Sequence, residues 1–452
     1  MLSETKSAYS GKKCFFKMAM GMLLIFCISN CTQAQEPKIT LTLDKAVETA
    51  LANNKGILVA REKLNQASGK ITEARSGYLP TLTLQGSYTK LSLVPELSLS
   101  IPVGPAVVTR QMKLGAEDNY MARAVLQETL FSWGRVSNSY ALSKYNSELS
   151  QESYKQAVDE TVYNVKKVFY GAVLAKSVYE ANKEMLDRAQ EHLKAVESKF
   201  NVGNASQFEL LRARVQVENT KPLVSKSKNA LETALITLRN ILGIKQSREI
   251  ELQGELVFVK DDVTLEAALE NAYQNRPELK QVELRKKITQ KSLSVVKSGN
   301  KPSLVAVANY QYQNPYYYTV DWVSNWSAGL LLNYPLFDGF AVSGKAAQAD
   351  SELRQVEIQE SQLKDAVEVE IRQLALALNE AQERIASQSE NVKQAQESMR
   401  IAEVGYSNGV VTNLEVMDTQ LALTQAKTNY LQALYDYLTT SAGLKKATGT
   451  KK

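Results

Sequence analysis

Residues 42–53 read TLDKAVETALAN, and residues 264–275 read TLEAALENAYQN. The match continues without a gap, at a constant spacing of 222 positions, as far as Tyr88 in the first copy. Further along, residues 200–212 (FNVGNASQFELLR) align at a spacing of 206 with residues 406–418 (YSNGVVTNLEVMD). Because the matches occur in the same order, the chain is a tandem duplication of one unit of about 200 residues, which is too long for a solenoid of short repeats.

The two copies differ in the region that follows the first match. The spacing has already fallen to 206 where residues 130–134 (LFSWG) align with residues 336–339 (LFDG). The first copy therefore carries extra residues after Tyr88. Residues 95–105, which contain three prolines and a glycine, predict an irregular loop there, since Pro and Gly interrupt regular backbone.

The N-terminal segment, residues 1–34, has the pattern of a secretory signal peptide. Lysines precede an apolar run, residues 18–28, that has the length of a signal core and is too short to span a bilayer. Two forms of processing are compatible with the sequence. One is cleavage after Ala34, and the other is cleavage in front of Cys31 with lipidation of that cysteine.

Removing this segment changes the chemistry of the chain. All three cysteines lie in it, so we expect the mature protein to have no disulfide and no thiol metal site. The formal net charge falls from +6 to +3, because the segment holds four lysines and one glutamate. A chain so close to neutral gives no case for nucleic-acid binding.

Catalysis is not indicated by any motif. The sequence has no phosphate-binding loop, paired cysteines or nucleophile motif. The single histidine, His192, falls within a helical pattern beside an apolar seam, where a structural or a surface position is expected. We therefore predict that the protein is not an enzyme and needs no cofactor.

Long helices are the dominant predicted structure. Residues 136–202 and 340–408 contain no proline and few glycines. Within them, at 186–200 and 371–402, apolar and small residues recur at alternating steps of three and four, as in a coiled-coil seam. At 1.5 Å per residue, each segment makes a helix of ~100 Å. Residues 42–77 predict a helix about half as long. The return segments, 206–242 and 411–442, predict two more, and two short helices stacked end to end match one long helix.

Strand pairs are predicted within residues 79–131 and 303–337. Apolar and polar residues alternate there, and tyrosines and tryptophans cluster between 316 and 326. This pattern is typical of transmembrane β-barrel strands with an aromatic girdle. The alternative is the edge of a soluble β-sandwich. A further β-like run, residues 249–259, is expected to join the C-terminal residues in a collar around the helices.

The predicted order divides the chain into a first repeat, residues 35–260, and a second repeat, residues 261–452. Each repeat supplies two strands, so one chain has four, whereas the smallest membrane barrels need about eight. An open sheet edge in lipid would leave backbone groups unpaired at several kcal/mol each. Two chains would give eight strands and a filled interior, whereas three give twelve strands and a lumen.

Several features together resemble the TolC-like outer-membrane efflux proteins. They are the signal peptide, the duplicated order of helix, strand pair, long helix and return helix, the runs LFSWGR at 130–135 and LFDG at 336–339, and the turn YSNG at 406–409. The resemblance covers essentially the whole mature chain. It implies a mainly α fold with a transmembrane β-barrel part: a homotrimer with a twelve-stranded barrel in outer-membrane lipid and a twelve-helix α-barrel across the periplasm.

The same resemblance implies a passive export duct. Such a duct works with a periplasmic adaptor protein and an inner-membrane transporter of the RND or ABC type, and drugs or other small molecules are the expected substrates. The competing hypothesis is a periplasmic coiled-coil adaptor or scaffold. That class of protein would share the heptads but lack two strand pairs with a lipid-facing side.

Candidate gate residues lie just after the turn at 406–409, which joins the second long helix to its return helix. Glu415 and Asp418 are three residues apart, so they share one helix face. By the resemblance they match acidic residues that ring the closed periplasmic end, and Tyr406 matches an aromatic beside it. Their equivalents in the first repeat are Glu209 and Arg212.

Some members of the family carry at position 411 an arginine that locks the gate, and this chain has Val411. An ion pair from Arg212 to a carboxylate is the expected substitute for that lock. The turns that hold Gly203 with Asn204 and Gly409 with Val410 match the hairpin tips that meet the adaptor. Glycine also ends helices for local reasons, because it tolerates positive φ.

Overall fold

The computed structural model describes residues 39–261, 264–317 and 319–450. The predicted signal peptide and Cys31 lie outside the described residues. In the first repeat the elements are β1 (Ile39–Leu41), α1 (Leu43–Asn53), α2 (Lys55–Arg75), β2 (Thr81–Lys90), β3 (Glu96–Val103), β4 (Ala106–Lys113), β5 (Asp118–Phe131), α3 (Arg135–Asn201) and α4 (Gln207–Leu242). They continue with β6 (Ile250–Leu252), α5 (Leu265–Asn275), α6 (Pro277–Lys297), β7 (Ser303–Asn314), β8 (Val323–Asn333), α7 (Ala341–Ser407) and α8 (Asn413–Ala447).

The helices form one layer of four columns. The long helices α3 and α7 have 67 residues each, which corresponds to ~100 Å. Helix α3 packs on one side against α2 and α4, and on its other side against α6 and α8, which in turn pack against α7. The order across the layer is therefore α2 with α4, then α3, then α6 with α8, then α7. The predicted mainly α architecture with paired short helices is confirmed.

Each short helix before a strand pair is broken, whereas the sequence pattern predicted one continuous helix over residues 42–77. In the first repeat α1 ends before Asn54, whose side chain accepts hydrogen bonds from the N–H groups of Gly56 and Ile57 and so starts α2. In the second repeat Pro277 starts α6 and keeps Arg276 extended, because a residue before proline avoids the helical region. Within the described residues, no helix is long and apolar enough to cross a membrane.

The four main strands form an antiparallel sheet in the order β2-β5-β7-β8. Its edges are β2, which follows α2, and β8, which precedes α7. The sheet therefore has the same order as the helical columns. On one face lie apolar side chains, for example Leu84, Ala124 and Tyr310, which are registered neighbours. At one end of that face aromatic rings meet, with the ring centroids of Tyr120 and Trp322 6.0 Å apart.

The expected irregular loop in the first repeat is instead a β-hairpin. Strands β3 and β4 pair from Glu96 with Lys113 to Val103 with Ala106. Their alternating apolar residues favour a strand despite the prolines, and Gly104 supplies the positive φ (63°) of the two-residue turn. The hairpin explains the change of spacing between the two copies.

The expected collar is formed differently from the prediction. Strand β6 pairs in parallel with β1 at the start of the described chain, and not with the C-terminal residues. The residues after β6 reach helix α8, where the hydroxyl of Tyr437 donates to the carbonyl of Val259 over 2.7 Å. The β1–β6 pair lies on the larger of two hydrophobic cores. The smaller core is built from the ends of α3, α4, α7 and α8 farthest from the sheet.

Candidate functional site

The layer ends, opposite the sheet, in two helical hairpin tips. The first tip joins α3 to α4 through Gly203, and the second joins α7 to α8 through Gly409. Both glycines have positive φ, 80° and 75°, with open space where a Cβ would lie. The predicted tip residues Asn204 and Val410 are both exposed. The two turns share one backbone design because each must reverse a long helix within five residues.

Each return helix begins with a capping box. The hydroxyl of Ser206 accepts from the N–H of Glu209, and the Glu209 carboxylate accepts from the N–H of Ser206 over 2.9 Å. At the second tip Thr412 and Glu415 repeat this arrangement, with the Thr412 N–H 2.7 Å from the carboxylate. Hydrogen bonds from the Thr412 backbone and hydroxyl hold the pKa of Glu415 below its ordinary value. Glu415 therefore has a local structural task, which the gate hypothesis did not consider.

The side chain of Asn413, the first residue of α8, joins the two hairpins. It is 2% exposed, and its Oδ1 lies 2.6 Å from Nε2 of His192 on α3. Its Nδ2 donates to the backbone oxygen of Glu209 on α4 over 3.1 Å. One buried amide thus bonds both helices of the first hairpin. Its equivalent in the first repeat, Gln207, is exposed.

Tyr406 lies directly behind this link. Its ring centroid is 4.8 Å from that of His192, and the ammonium of Lys199 lies 4.1 Å from the ring centre and donates to the Tyr406 carbonyl. The Tyr406 hydroxyl is buried and has no hydrogen-bond partner within the described residues. Burial and the negative charge of Glu209 raise the pKa of Tyr406.

His192 is held as a structural residue. Burial lowers its pKa below the ordinary value, and the nearby ammonium of Lys199 acts in the same direction. The hydrogen bond to Asn413 and the charge of Glu403 oppose that shift. The neutral imidazole is therefore the form that the packed tip favours, with its Nε2 proton available to the Oδ1 of Asn413.

Arg212 and Asp418 are not brought together within one chain. The guanidinium of Arg212 lies over the ring of Phe208, 5.6 Å from its centroid, and no ion pair of Arg212 is found among the described residues. Asp418 is exposed on α8. The pair that does connect the two helices of the first hairpin is Arg214 with Glu197, 3.1 Å apart. An Arg212 tether thus stays a prediction about neighbouring chains.

Two features of the tips were missed in the sequence. The capping boxes were visible as Ser-x-x-Glu at 206–209 and Thr-x-x-Glu at 412–415, a recognised start signal for helices. The contact between Asn413 and His192 had no local signal. It joins residues 221 positions apart and depends on how the two hairpins pack.

Comparison with known proteins shows which family this chain resembles. The model of the outer membrane efflux protein family (OEP) matches residues 46–244 and again residues 268–450, one match in each half of the duplicated chain. The Outer membrane protein TolC of Salmonella enteritidis is 22% identical over 391 residues, covering 84% of this chain and 76% of the relative. The Toluene efflux pump outer membrane protein TtgC of Pseudomonas putida is 21% identical over 416 residues, covering 90% and 82%.

Solved structures show the same fold. The Campylobacter jejuni CmeC outer membrane channel superposes with a TM-score of 0.77 at 17% identity, over 99% of this chain and 94% of that one. The open state of the Neisseria gonorrhoeae MtrE outer membrane channel gives a TM-score of 0.74 at 16% identity, over 90% and 88%. The duplicated chain, with its four-stranded sheet above a layer of long helices, belongs to the outer membrane efflux protein family, whose members are efflux channels of the outer membrane.

Proposed function

We propose that three copies of this chain close into one continuous exit duct, with a β-barrel in the outer membrane and an α-barrel in the periplasm. The observation that carries the proposal is the common order of the sheet and the helical layer. Strands β2 and β8 are the two edges of the sheet. The column of α2 and α4 lies at the edge of the helical layer on the β2 side, and α7 lies at the edge on the β8 side. One neighbour can therefore complete both layers at once.

The exposed apolar side chains support this assembly. Large exposed apolar residues concentrate on the two outer columns, and the inner columns carry few. On α2 and α4 they are Leu58, Val59, Phe208, Leu211, Val215, Leu223 and Ile236, and on α7 they are Ile358, Val369, Leu376, Ile401 and Val404. Such apolar surface is typical of a face that another chain covers. With four strands per chain, three chains give the smallest barrel that encloses an open lumen.

The assembly can be tested by mass. Purified from outer membranes in mild detergent, the protein is expected to run as a heat-sensitive species of about three times the mass of one chain, which is 50.2 kDa for the full sequence. Leu376→Glu, at a position 70% exposed on α7, should weaken the trimer. Gln151→Glu on the inner helix α3 is the matched control. A stable monomer in the outer-membrane fraction would contradict the proposal.

The second hairpin tip is the proposed gate. Asp418 points to solvent without an ion pair in the described structure, and in a trimer three such carboxylates would lie around the axis. Glu415 adds its charge at the same end while it caps α8. We expect Asp418→Asn and Glu415→Gln to reduce the preference for cations in planar bilayers, because each removes a negative charge. Glutamine at position 415 keeps the capping box, so the start of α8 should stay intact.

The locking role proposed for Arg212 is tested in the same bilayers. If Arg212 pairs with a carboxylate of a neighbouring chain, Arg212→Gln should raise the frequency of channel opening, and Arg214→Gln is the comparison within the same helix. An unchanged opening frequency and conductance in Arg212→Gln would remove Arg212 from the gate.

Partners are proposed from the tips. Their open glycine turns and exposed ends suit docking by a periplasmic adaptor that connects the duct to an RND or ABC transporter. Photo-crosslinkers placed at Asn204 and Val410 should capture the adaptor in cells. A crosslinker at Gln151, far from both tips, is the control. Equal capture at Gln151 and at the tips would argue against tip docking.

A further inference from the structure

The polar face of the four-stranded sheet carries a single charged residue. That face consists of alternate residues of β2, β5, β7 and β8, mostly Thr, Ser, Asn and Gln. Arg123 is its only charged member in these four strands. The other three charged residues of the strands lie on the opposite, apolar face. Asp118 and Glu128 are each an odd number of residues from Arg123 along β5, and Lys90 is the registered partner of Asp118.

The charge of Arg123 is not cancelled by its neighbours. Its registered partners across the sheet are Gln85 and Gln311. Its Nη2 donates to the Oδ1 of Asn309 over 2.8 Å, and Asn309 in turn lies 3.4 Å from the hydroxyl of Ser327. No ion pair of Arg123 is found in the described part of the chain. The one side chain that binds the guanidinium is therefore a neutral amide, and no carboxylate of the described residues neutralises it.

This charge is placed in the lumen if the proposed trimer forms, and the inference rests on that proposal. In a membrane barrel the apolar face meets lipid, so the polar face lines the interior. Twelve strands spaced ~4.8 Å apart and tilted by ~40° enclose a wall of roughly 12 Å radius. A side chain that reaches inward from this wall brings its charge within about one Debye length of the axis at 0.1 M salt, which is ~10 Å.

We propose that three copies of Arg123 form a ring that makes the outer-membrane part of the duct selective for anionic solutes. The threefold axis places the three guanidinium groups at one height, so every permeating solute passes all of them. Small molecules that carry a carboxylate or another negative group are the substrate class that this ring favours. The duct then has opposite charge at its two ends, with carboxylates at the tips and guanidinium groups in the barrel.

Reversal potentials in planar bilayers test the ring. Three channels are compared, all carrying Asp418→Asn: one with Arg123, one with Arg123→Gln and one with Arg123→Glu. The shared substitution removes carboxylates at the tip that would otherwise dominate the measured ion selectivity. In gradients around 0.1 M KCl, Arg123→Gln should lower the permeability ratio of chloride to potassium by about threefold or more, and Arg123→Glu should invert the preference. At 1 M KCl, where the Debye length is about 3 Å, the variants should converge.

Glu128→Gln is the matched control, since it changes one charge on the same strand but on the lipid-facing side. It should leave the ratio unchanged. If Arg123→Gln has the selectivity of the parent channel, the ring is refuted while the duct stands. If the parent protein forms no channel at all in bilayers, the proposed function itself fails, so the two failures are distinguishable.

Discussion

The two hairpin tips of this chain have the same turn and the same helix start but different connections. Both use a glycine at positive φ followed by a capping box, at 203–209 and 409–415. At the second tip the first residue of the return helix, Asn413, is buried and bonded to the other hairpin, whereas its equivalent at the first tip, Gln207, is exposed. After duplication, the residues that close a tight hairpin therefore stayed similar in type, and the residues that hold one hairpin to the other differ.

The largest expected effect comes from Gly405, whose equivalent in the first repeat is Lys199. A Cβ at Gly405 would overlap the side chain of Val411, so the second tip closes tightly against its own helix. Gly405→Ala should reduce the free energy of local opening of the second tip by about 2–3 kcal/mol through overpacking. Amide hydrogen exchange of residues 405–412 in the detergent-solubilised protein measures this.

Gly344→Ala is the control for that substitution. Gly344 lies in the same helix α7, and nothing lies within 4 Å of its added Cβ. This change should stabilise the helix slightly, by up to about 1 kcal/mol, because alanine is the better helix former. Equal protection in both variants would show that the contact between Gly405 and Val411 has no energetic role.

The next effect concerns the link between the hairpins. Asn413→Ala removes both hydrogen bonds of the amide and leaves the Glu209 carbonyl and the His192 ring without their partner. We expect the second tip to lose about 1–3 kcal/mol of protection, the range for orphaned buried polar groups. Gln207→Ala, the equivalent change at the exposed position of the first tip, should have almost no effect. Similar losses in both variants would end the distinction between the tips.

A third experiment tests the feature that the tips share. Ser206→Ala and Thr412→Ala each remove an N-cap hydroxyl that accepts from the backbone N–H three residues later. Each should lower the stability of its own return helix by about 1 kcal/mol, and by similar amounts. Hydrogen exchange of the first turn of α4 and of α8 measures the two losses separately. A loss confined to one tip would show that the capping boxes are not equivalent.

Much of the fold follows from local sequence patterns. The heptads at 186–200 and 371–402 lie within helices of 67 residues each, as the scarcity of Gly and the lack of Pro in these segments predict. The prediction of an irregular loop at residues 95–105 was wrong because it gave three prolines more weight than the alternation of Leu97, Leu99 and Ile101. That alternation favours the hairpin that forms. Local conformational propensity can be inferred from the sequence. The energy of strand pairing cannot, because it depends on contacts that form only when the chain folds.

The candidate site was predicted less completely than the fold. The positions of Gly203 and Gly409 in the turns follow from their spacing and composition. The burial of Asn413 could not be predicted, because an asparagine at a helix start is usually exposed and its partner His192 lies on another hairpin. Residues whose role arises from packing between repeats carry no signal within either repeat.

The smallest expected effect is a pH dependence that distinguishes the two tips. Burial lowers the pKa of His192, so the unfolded tip binds a proton more readily than the packed tip does. The stabilisation from neutral His192 is complete above the ordinary histidine pKa of about 6.5 and is lost as the pH falls through that value toward the lowered pKa. The lowered pKa of Glu415 places its own effect at more acidic pH, and the raised pKa of Tyr406 acts only in alkali.

Hydrogen exchange at pH 7.5 and pH 5.5, corrected for the intrinsic exchange rate, isolates this dependence. Residues 406–412 should lose protection at pH 5.5, whereas residues 200–206 serve as an internal control and should not. His192→Gln cannot titrate, so its second tip should have the same protection at both pH values. If the variant keeps the full pH dependence, the tip responds to groups other than His192, and His192 contributes to the second tip only through its contacts with Asn413 and Tyr406.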